Sequence, residues 1–160
     1  MTASVTIHPT SIQVSIGEQV WSLPVAIEAI QASFTTDPPL PEELINAIGL
    51  VIDHLDDVVH AQPELLGAVT VELAGVGTRC FADVECGHPT GSTRCQITRA
   101  DAEDLFRTMV TETRSERRLN PGLGDHDIDV IVATCCVVVA VIRRLHLDAI
   151  DIVDQGATGS

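Results

Sequence analysis

From Val130 to Ile142 the chain is an apolar run broken only by Thr134, and Asp127 to Leu145 around it is predicted as one helix. The run is too short to cross a bilayer, which takes about 20 residues, so it reads as a helix buried in a core. Arg143 and Arg144 near its end suit the negative end of the helix dipole. Cys135 and Cys136 sit inside the run and count as small core hydrophobes.

The remaining elements must cover that helix. Residues 4–23 read as strands: Ser11 to Ile16 alternates polar and apolar, Gly17-Glu18 turns, and Gln19 to Leu23 returns as a hairpin. Pro24 opens a helical stretch over Val25 to Phe34. The prolines of residues 35–41 make a loop, because proline lacks an N–H and pushes the residue before it out of helix. A long amphipathic helix follows from Pro41 to His60, with Leu44, Ile48, Val51, Leu55, Val58 and Val59 at helical spacing. Its Asp53, Asp56 and Asp57 read as the solvated face rather than a metal site. Leu66 to Ala74 reads as a strand running into the glycine turn Gly75-Val-Gly-Thr78. Thr98 starts a helix with a capping-box-like pattern that runs to Thr113, Asn120-Pro-Gly turns, and Ala149 to Val153 is a last strand. This order predicts one mixed α/β domain over residues 1–160, with helices packed on a small sheet.

The chain of 160 residues carries a formal charge of -14, with nine cations that are all Arg. Such a surface repels polyanions, so neither nucleic acid nor an anionic membrane is an expected partner. Three Phe, one Trp and no Tyr leave no platform for stacking bases. Residues 1–7 have neither the basic residue nor the apolar segment of a signal peptide. Five Cys, an odd number, argue against a fully paired disulfide framework. Both point to the cytoplasm.

Several phrases recur in the order of a known family. Ser22-Leu-Pro-Val-Ala resembles its S-L-P-x-G, and residues 36–44, Thr-Asp-Pro-Pro-Leu-Pro-Glu-Glu-Leu, resemble D-P-P-T-P-E-E-L. Ile97-Thr-Arg-Ala-Asp-Ala-Glu-Asp-Leu is similar to its L-T-R-D-D-L-E-x-L. Glu116-Arg-Arg-Leu-Asn-Pro-Gly-Leu followed by Asp129-Val-Ile-Val-Ala resembles E-R-R-x-x-P-G-L and A-D-V-I-V-A-G. Residues 145–156, Leu-His-Leu-Asp-Ala-Ile-Asp-Ile-Val-Asp-Gln-Gly, resemble the closing L-G-L-D-x-I-x-V-S-D-R-G. The chain thus resembles, over residues 21–156, the C-terminal half of the exopolyphosphatase / guanosine pentaphosphate phosphohydrolase (Ppx/GppA) family. The resemblance implies a ribonuclease H-like lobe of the actin-like ATPase superfamily. It also implies phosphoanhydride chemistry in a cleft between two lobes, with Mg²⁺, a phosphate loop from each lobe and a carboxylate that positions water.

The same resemblance locates losses. The family's D-I-G-S-N-S loop and catalytic Glu would precede Met1. Its D-I-G-G-G-S-T-E falls on residues 6–13, where Thr6 replaces the metal-side Asp, His8, Pro9 and Thr10 replace three glycines, Gln13 replaces Glu, and Ser11 is retained. Bulk at His8 and a missing N–H at Pro9 oppose a cradle of amides around phosphate. Gly75, Val76, Gly77 and Thr78 stand where the family has a second loop, A-G-T-A-T-T, and are the candidate anion site together with Ser11. The family's H-G-Y-R meets Thr93-Arg94-Cys95-Gln96, without its His. No catalytic residue, resident metal or cofactor is therefore expected in the chain alone, Mg²⁺ only within a two-lobe enzyme. The expected partners are a first-lobe protein, a second copy of the chain, or a small phosphate-containing molecule.

Arg107, Arg114, Arg117 and Arg118 form the basic cluster, read either as a phosphate-facing patch or as ion pairs to Glu103, Asp104, Glu112 and Glu116. Cys80, Cys86, His88 and Cys95 have zinc-ligand types but irregular spacing, and scattered thiols are the favoured reading. His54, His60, His126 and His146 lie among acids or at helix ends and read as surface residues.

Overall fold

The computed structural model describes residues 2–153 apart from 69, 80, 82, 84–93 and 122, with the backbone alone at 94 and 126. It contains β1 (Thr2–Ile7), β2 (Ile12–Ile16), β3 (Gln19–Leu23), α1 (Ile27–Ala32), α2 (Pro41–Ala61) and a 3-10 turn (Pro63–Gly67). These lead into β4 (Thr70–Gly75), β5 (Arg94–Thr98), α3 (Arg99–Thr111), α4 (Arg114–Arg117), α5 (Asp125–Arg144) and β6 (Ala149–Val153). The six strands form one mixed sheet in the order β3-β2-β1-β4-β6-β5. β1 and β4 run parallel, as do β4 and β6, while β2, β3 and β5 join their neighbours antiparallel. The expected α/β class, a mixed sheet with packed helices, is what the chain adopts.

The alternation along β1 and β2 sets the layers. Ala3, Val5, Ile7, Ile12, Val14 and Ile16 are buried, while Ser4, Thr6, Gln13 and Ser15 on the other face are partly or fully exposed. The apolar run lies in α5, where every residue from Val130 to Ile142 is buried, and α1, α2 and α3 all pack against it. A helix apolar on every side is stable only when covered on every side, and the sheet and three helices supply that cover. Among the described residues, no helix is long and apolar enough to cross a membrane.

Local chemistry fixes the helix starts. Glu43, three residues into α2, folds its carboxylate back to accept from the Leu40 N–H (3.0 Å) and from the Thr35 N–H and hydroxyl (2.9 and 2.8 Å). These bonds, the one from Leu40 foremost, hold the Glu43 carboxyl below its ordinary range. Thr98 caps α3 by accepting from the Asp101 N–H at 3.2 Å. Thr113 and Glu116 form a reciprocal capping box at α4 (3.2 and 2.9 Å), which also depresses the Glu116 carboxyl. That second cap explains why α3 stops at Thr111 and does not run to Thr113.

The largest departure from expectation is β5, a stretch for which the sequence reading proposed no strand. It is an edge strand, pairing antiparallel with β6 from Arg94↔Val153 to Thr98↔Ala149, and its last residue Thr98 caps α3 as expected. β4 is also shorter at its start than expected, because residues 63–67 form the 3-10 turn.

Candidate functional site

Two connections follow the parallel strands β1 and β4, and the ladder places them side by side: Ile7 is level with both Ile12 and Gly75. These are the two positions where the family resemblance puts phosphate loops.

The first is a tight hairpin. The His8 N–H donates to the Ser11 carbonyl at 2.8 Å, so the β1–β2 ladder continues to its last pair and leaves Pro9 and Thr10 at the tip. An amide that an anion would need is thereby spent inside the hairpin, and Pro9 has none to offer. The His8 ring meets the Gln13 side chain at 3.3 Å across the ladder. Thr6 and Gln13 pair directly, and neither carries the carboxylate that a hard divalent cation prefers. This residue set does not fit Mg²⁺. Among the described residues, no group of three His, Cys, Asp or Glu side chains could hold a metal ion.

The second connection keeps its glycines, and packing accounts for both. Gly75 has φ +112, and a Cβ there would lie 2.0 Å from the Ile7 carbonyl oxygen. Gly77 has φ +78, and its Cβ would lie 2.3 Å from Oγ1 of Thr134. The Val76 N–H donates to the Ile7 carbonyl (2.9 Å), and the Val76 carbonyl accepts from the Thr134 hydroxyl (3.2 Å). Thr134, the one polar residue in the apolar run, thus reaches across the core to hold this turn. Thr78 is only 2% exposed and donates its hydroxyl back to the Gly75 carbonyl at 2.9 Å. Of the amides that the sequence reading offered to an anion, that of Val76 is spent on β1, while its carbonyl holds α5 and the Thr78 hydroxyl closes the turn.

The four arginines occupy different surroundings. Arg107 pairs with Asp104 on α3. Arg114 binds Asp129 through Nε at 2.7 Å, and this hydrogen bond raises its already high pKa. Arg117 is 4% exposed; its Nη1 donates to the carbonyls of Glu112 (2.6 Å) and Met109 (3.3 Å), and burial lowers its pKa. Arg118 is exposed. Asp37 links two of the sequence phrases: its carboxylate accepts from the Arg114 backbone N–H at 3.0 and 3.1 Å and lies 3.8 Å from Arg117 Nη2. Of the four acids expected as partners, Asp104 does pair with Arg107, whereas Glu103 binds Arg143 (2.9 Å), Glu116 caps α4, and Glu112 offers its backbone.

Arg144 pairs with Asp56, so one of the three acids on the outer face of α2 ties that helix to α5. Burial holds the Cys136 thiol at about 12, and Cys135 is equally enclosed. Cys80, Cys86, His88 and Thr93, with the side chains of Arg94 and His126, lie outside the described residues; Cys95 is half-buried in β5. Two positions were given no role from the sequence. Asp37 stands inside a quoted phrase but gave no sign of its partner 77 residues away, and Thr134 was marked only as the sole polar residue in an apolar run.

No protein-family model and no curated protein sequence matches the chain. Solved structures do. An exopolyphosphatase-like protein superposes with a TM-score of 0.87 at 17% identity, over 96% of this chain and 55% of its own. The Aquifex aeolicus PPX-GPPA enzyme gives 0.84 at 21% identity, over 96% and 53%. An exopolyphosphatase from Cytophaga hutchinsonii gives 0.76 at 16% identity, over 96% and 53%. The chain has the fold of the Ppx/GppA proteins. It spans about half the length of each of these structures, consistent with a C-terminal half.

Proposed function

We propose that this chain is a Ppx/GppA-type lobe that does not hydrolyse phosphoanhydrides by itself and acts as a binding or regulatory module. The observation that carries this reading is the closed β1–β2 hairpin, where His8, Pro9 and Thr10 stand in place of a glycine cradle and the His8 amide is bonded within the turn. Transfer of a phosphoryl group needs donors and a metal aimed at the charge that develops on it, and Thr6 and Gln13 supply no carboxylate for that metal. The basic cluster is a weak phosphate patch, because Arg107, Arg114 and Arg117 are each engaged by carboxylates or carbonyls. The test is phosphate release from long-chain polyphosphate and from pppGpp by the purified chain with Mg²⁺. No release above the protein-free control is expected, and turnover that purifies with the chain refutes the proposal.

A second reading has its own support, since the solved exopolyphosphatase-type structures are about twice as long as this chain. In that reading the chain is one lobe of a split hydrolase, completed by a separate protein carrying the D-I-G-S-N-S loop. Co-purification with such a protein, and phosphate release by the pair alone, would establish it.

A further inference from the structure

At the side of the sheet away from β5, the terminal strand β3 presents an open edge. Gly17-Glu18 is a two-residue turn, with φ +59 at Gly17, and it closes on the pair Ile16↔Gln19. Such a turn makes its flanking pair a hydrogen-bonded one, and bonded pairs then alternate along the ladder. Gln19, Trp21 and Leu23 therefore spend their main-chain groups on β2, while the N–H and C=O of Val20 and Ser22 point away from the sheet. Among the described residues, no hydrogen bond reaches those four groups. Gln19, Val20 and Ser22 are exposed, Val20 at 60%. The strand contains no Lys, no Pro, no charge and no bulge, the features that usually guard an edge.

Open donors and acceptors in a row specify an extended chain as their partner, and their arrangement on β3 fits a second β3. The groups of Val20 and Ser22 lie symmetrically about Trp21. A two-fold axis at Trp21 sets Val20 opposite Ser22 of the second copy, so each N–H meets a C=O and four main-chain bonds close. Charge agrees with this choice. The chain carries -14, yet Gln19 to Leu23 carry none of it, so no like charges face each other across the seam. Glu18 would lie opposite Pro24 and about 20 Å from the Glu18 of the other copy, beyond the screening length of about 8 Å. Trp21 shares the helical face of the sheet with buried Val14 and is itself half-buried. In this register the two Trp21 side chains form the central non-hydrogen-bonded pair, where opposite side chains approach most closely. Indole packed on indole then covers what the single chain leaves open. We propose that β3 is a homodimer seam, at which two copies join their sheets in one antiparallel ladder centred on Trp21. The seam does not depend on whether the chain takes part in hydrolysis.

The seam is small, so a Kd between roughly 1 µM and 1 mM is expected, and sedimentation equilibrium of the full chain across that range tests it. The dimer should tighten as salt rises, because salt screens the repulsion between two acidic chains and no ion pair crosses the seam. Trp21 is the only Trp in a chain without Tyr, so its emission should move to shorter wavelength along the same concentration curve. Ser22→Pro removes an outward N–H and no bond to β2, and it takes two of the four bonds from the dimer. Association should weaken at least about tenfold. Ser22→Ala keeps the N–H and should dimerise as the parent chain does. Val20→Glu, at an exposed position, brings two carboxylates to within about 8 Å of each other and should weaken the dimer most at low salt. The proposal is overturned by a monomer throughout the range, by open-ended growth past the dimer, or by Trp21 emission that does not follow association. Undiminished dimerisation of Val20→Glu at low salt, or of a folded Ser22→Pro, overturns it equally.

Discussion

The β1–β2 tip and the β4 turn sit level with each other at one end of the sheet, and they have taken opposite routes. At the tip the glycines are absent, and the chain closes into a hairpin that uses the His8 amide itself. At the β4 turn the glycines are present, yet each is required by a neighbour within the fold: the Ile7 carbonyl for Gly75, Thr134 for Gly77. A glycine in a loop that resembles a phosphate cradle is therefore not evidence of a phosphate. Space around the missing Cβ decides, and here backbone and core already occupy it.

That contrast can be broken by substitution, and the β4 turn should suffer most. Gly75→Ala combines a left-handed backbone with a clash against main chain that cannot move aside; a loss of about 3 kcal/mol or more is expected in chemical denaturation, to the point of preventing folding. Gly77→Ala meets a side chain instead, so about 2 kcal/mol is expected, and the cost should shrink by about 1 kcal/mol in a Thr134→Ala background. Additive losses in that double-mutant cycle would mean that Thr134 does not press on the turn.

The hairpin tip should respond far less. Restoring glycines there (His8→Gly, Pro9→Gly and Thr10→Gly together) should cost about 1–2 kcal/mol through the added freedom of the unfolded chain. It should not create phosphate release, because no metal-binding carboxylate accompanies it. His146 offers the reverse case. It ends α5 at φ +54, with the Leu147 N–H returning to the Ile142 carbonyl (3.0 Å), a place where helices usually put glycine. The family phrase has Gly at this position, and nothing in the structure requires the histidine, so His146→Gly should raise stability by up to about 1 kcal/mol in thermal unfolding.

The smallest effect is the acid response of the helix caps. Glu43 and Glu116 titrate below the ordinary 4.5 in the fold, so their contribution is fully present above that value and is lost as pH falls through their folded values. Glu43→Gln and Glu116→Gln should each flatten the decline in stability between about pH 5 and pH 3. An unchanged acid limb would show that these caps do not hold.

Much of this architecture was legible, because its signals are local. The 3.6-residue spacing of α2, the alternation of β2, the cap at Thr98 and the apolar run of α5 all lie within one element. β5 was not read as a strand although Arg94-Cys-Gln-Ile-Thr98 alternates polar and apolar: the segment is only five residues long, and the helix cap at its last residue dominates the reading. Nor were the contacts that decide the candidate site. Thr134 with Val76 and Asp37 with Arg114 are separated by 58 and 77 residues, and no period in the sequence encodes such pairs. The phosphate-loop positions could be placed by resemblance alone, but what occupies them had to be read from backbone distances.

The central claim is that the hairpin tip has closed to phosphate. It is tested most directly by titrating the ¹⁵N-labelled chain with inorganic phosphate and with tripolyphosphate, each with Mg²⁺, while following the amides of His8, Thr10 and Ser11. No saturable shift at these three positions is predicted. A saturable shift there, centred on the His8 amide, would contradict the account.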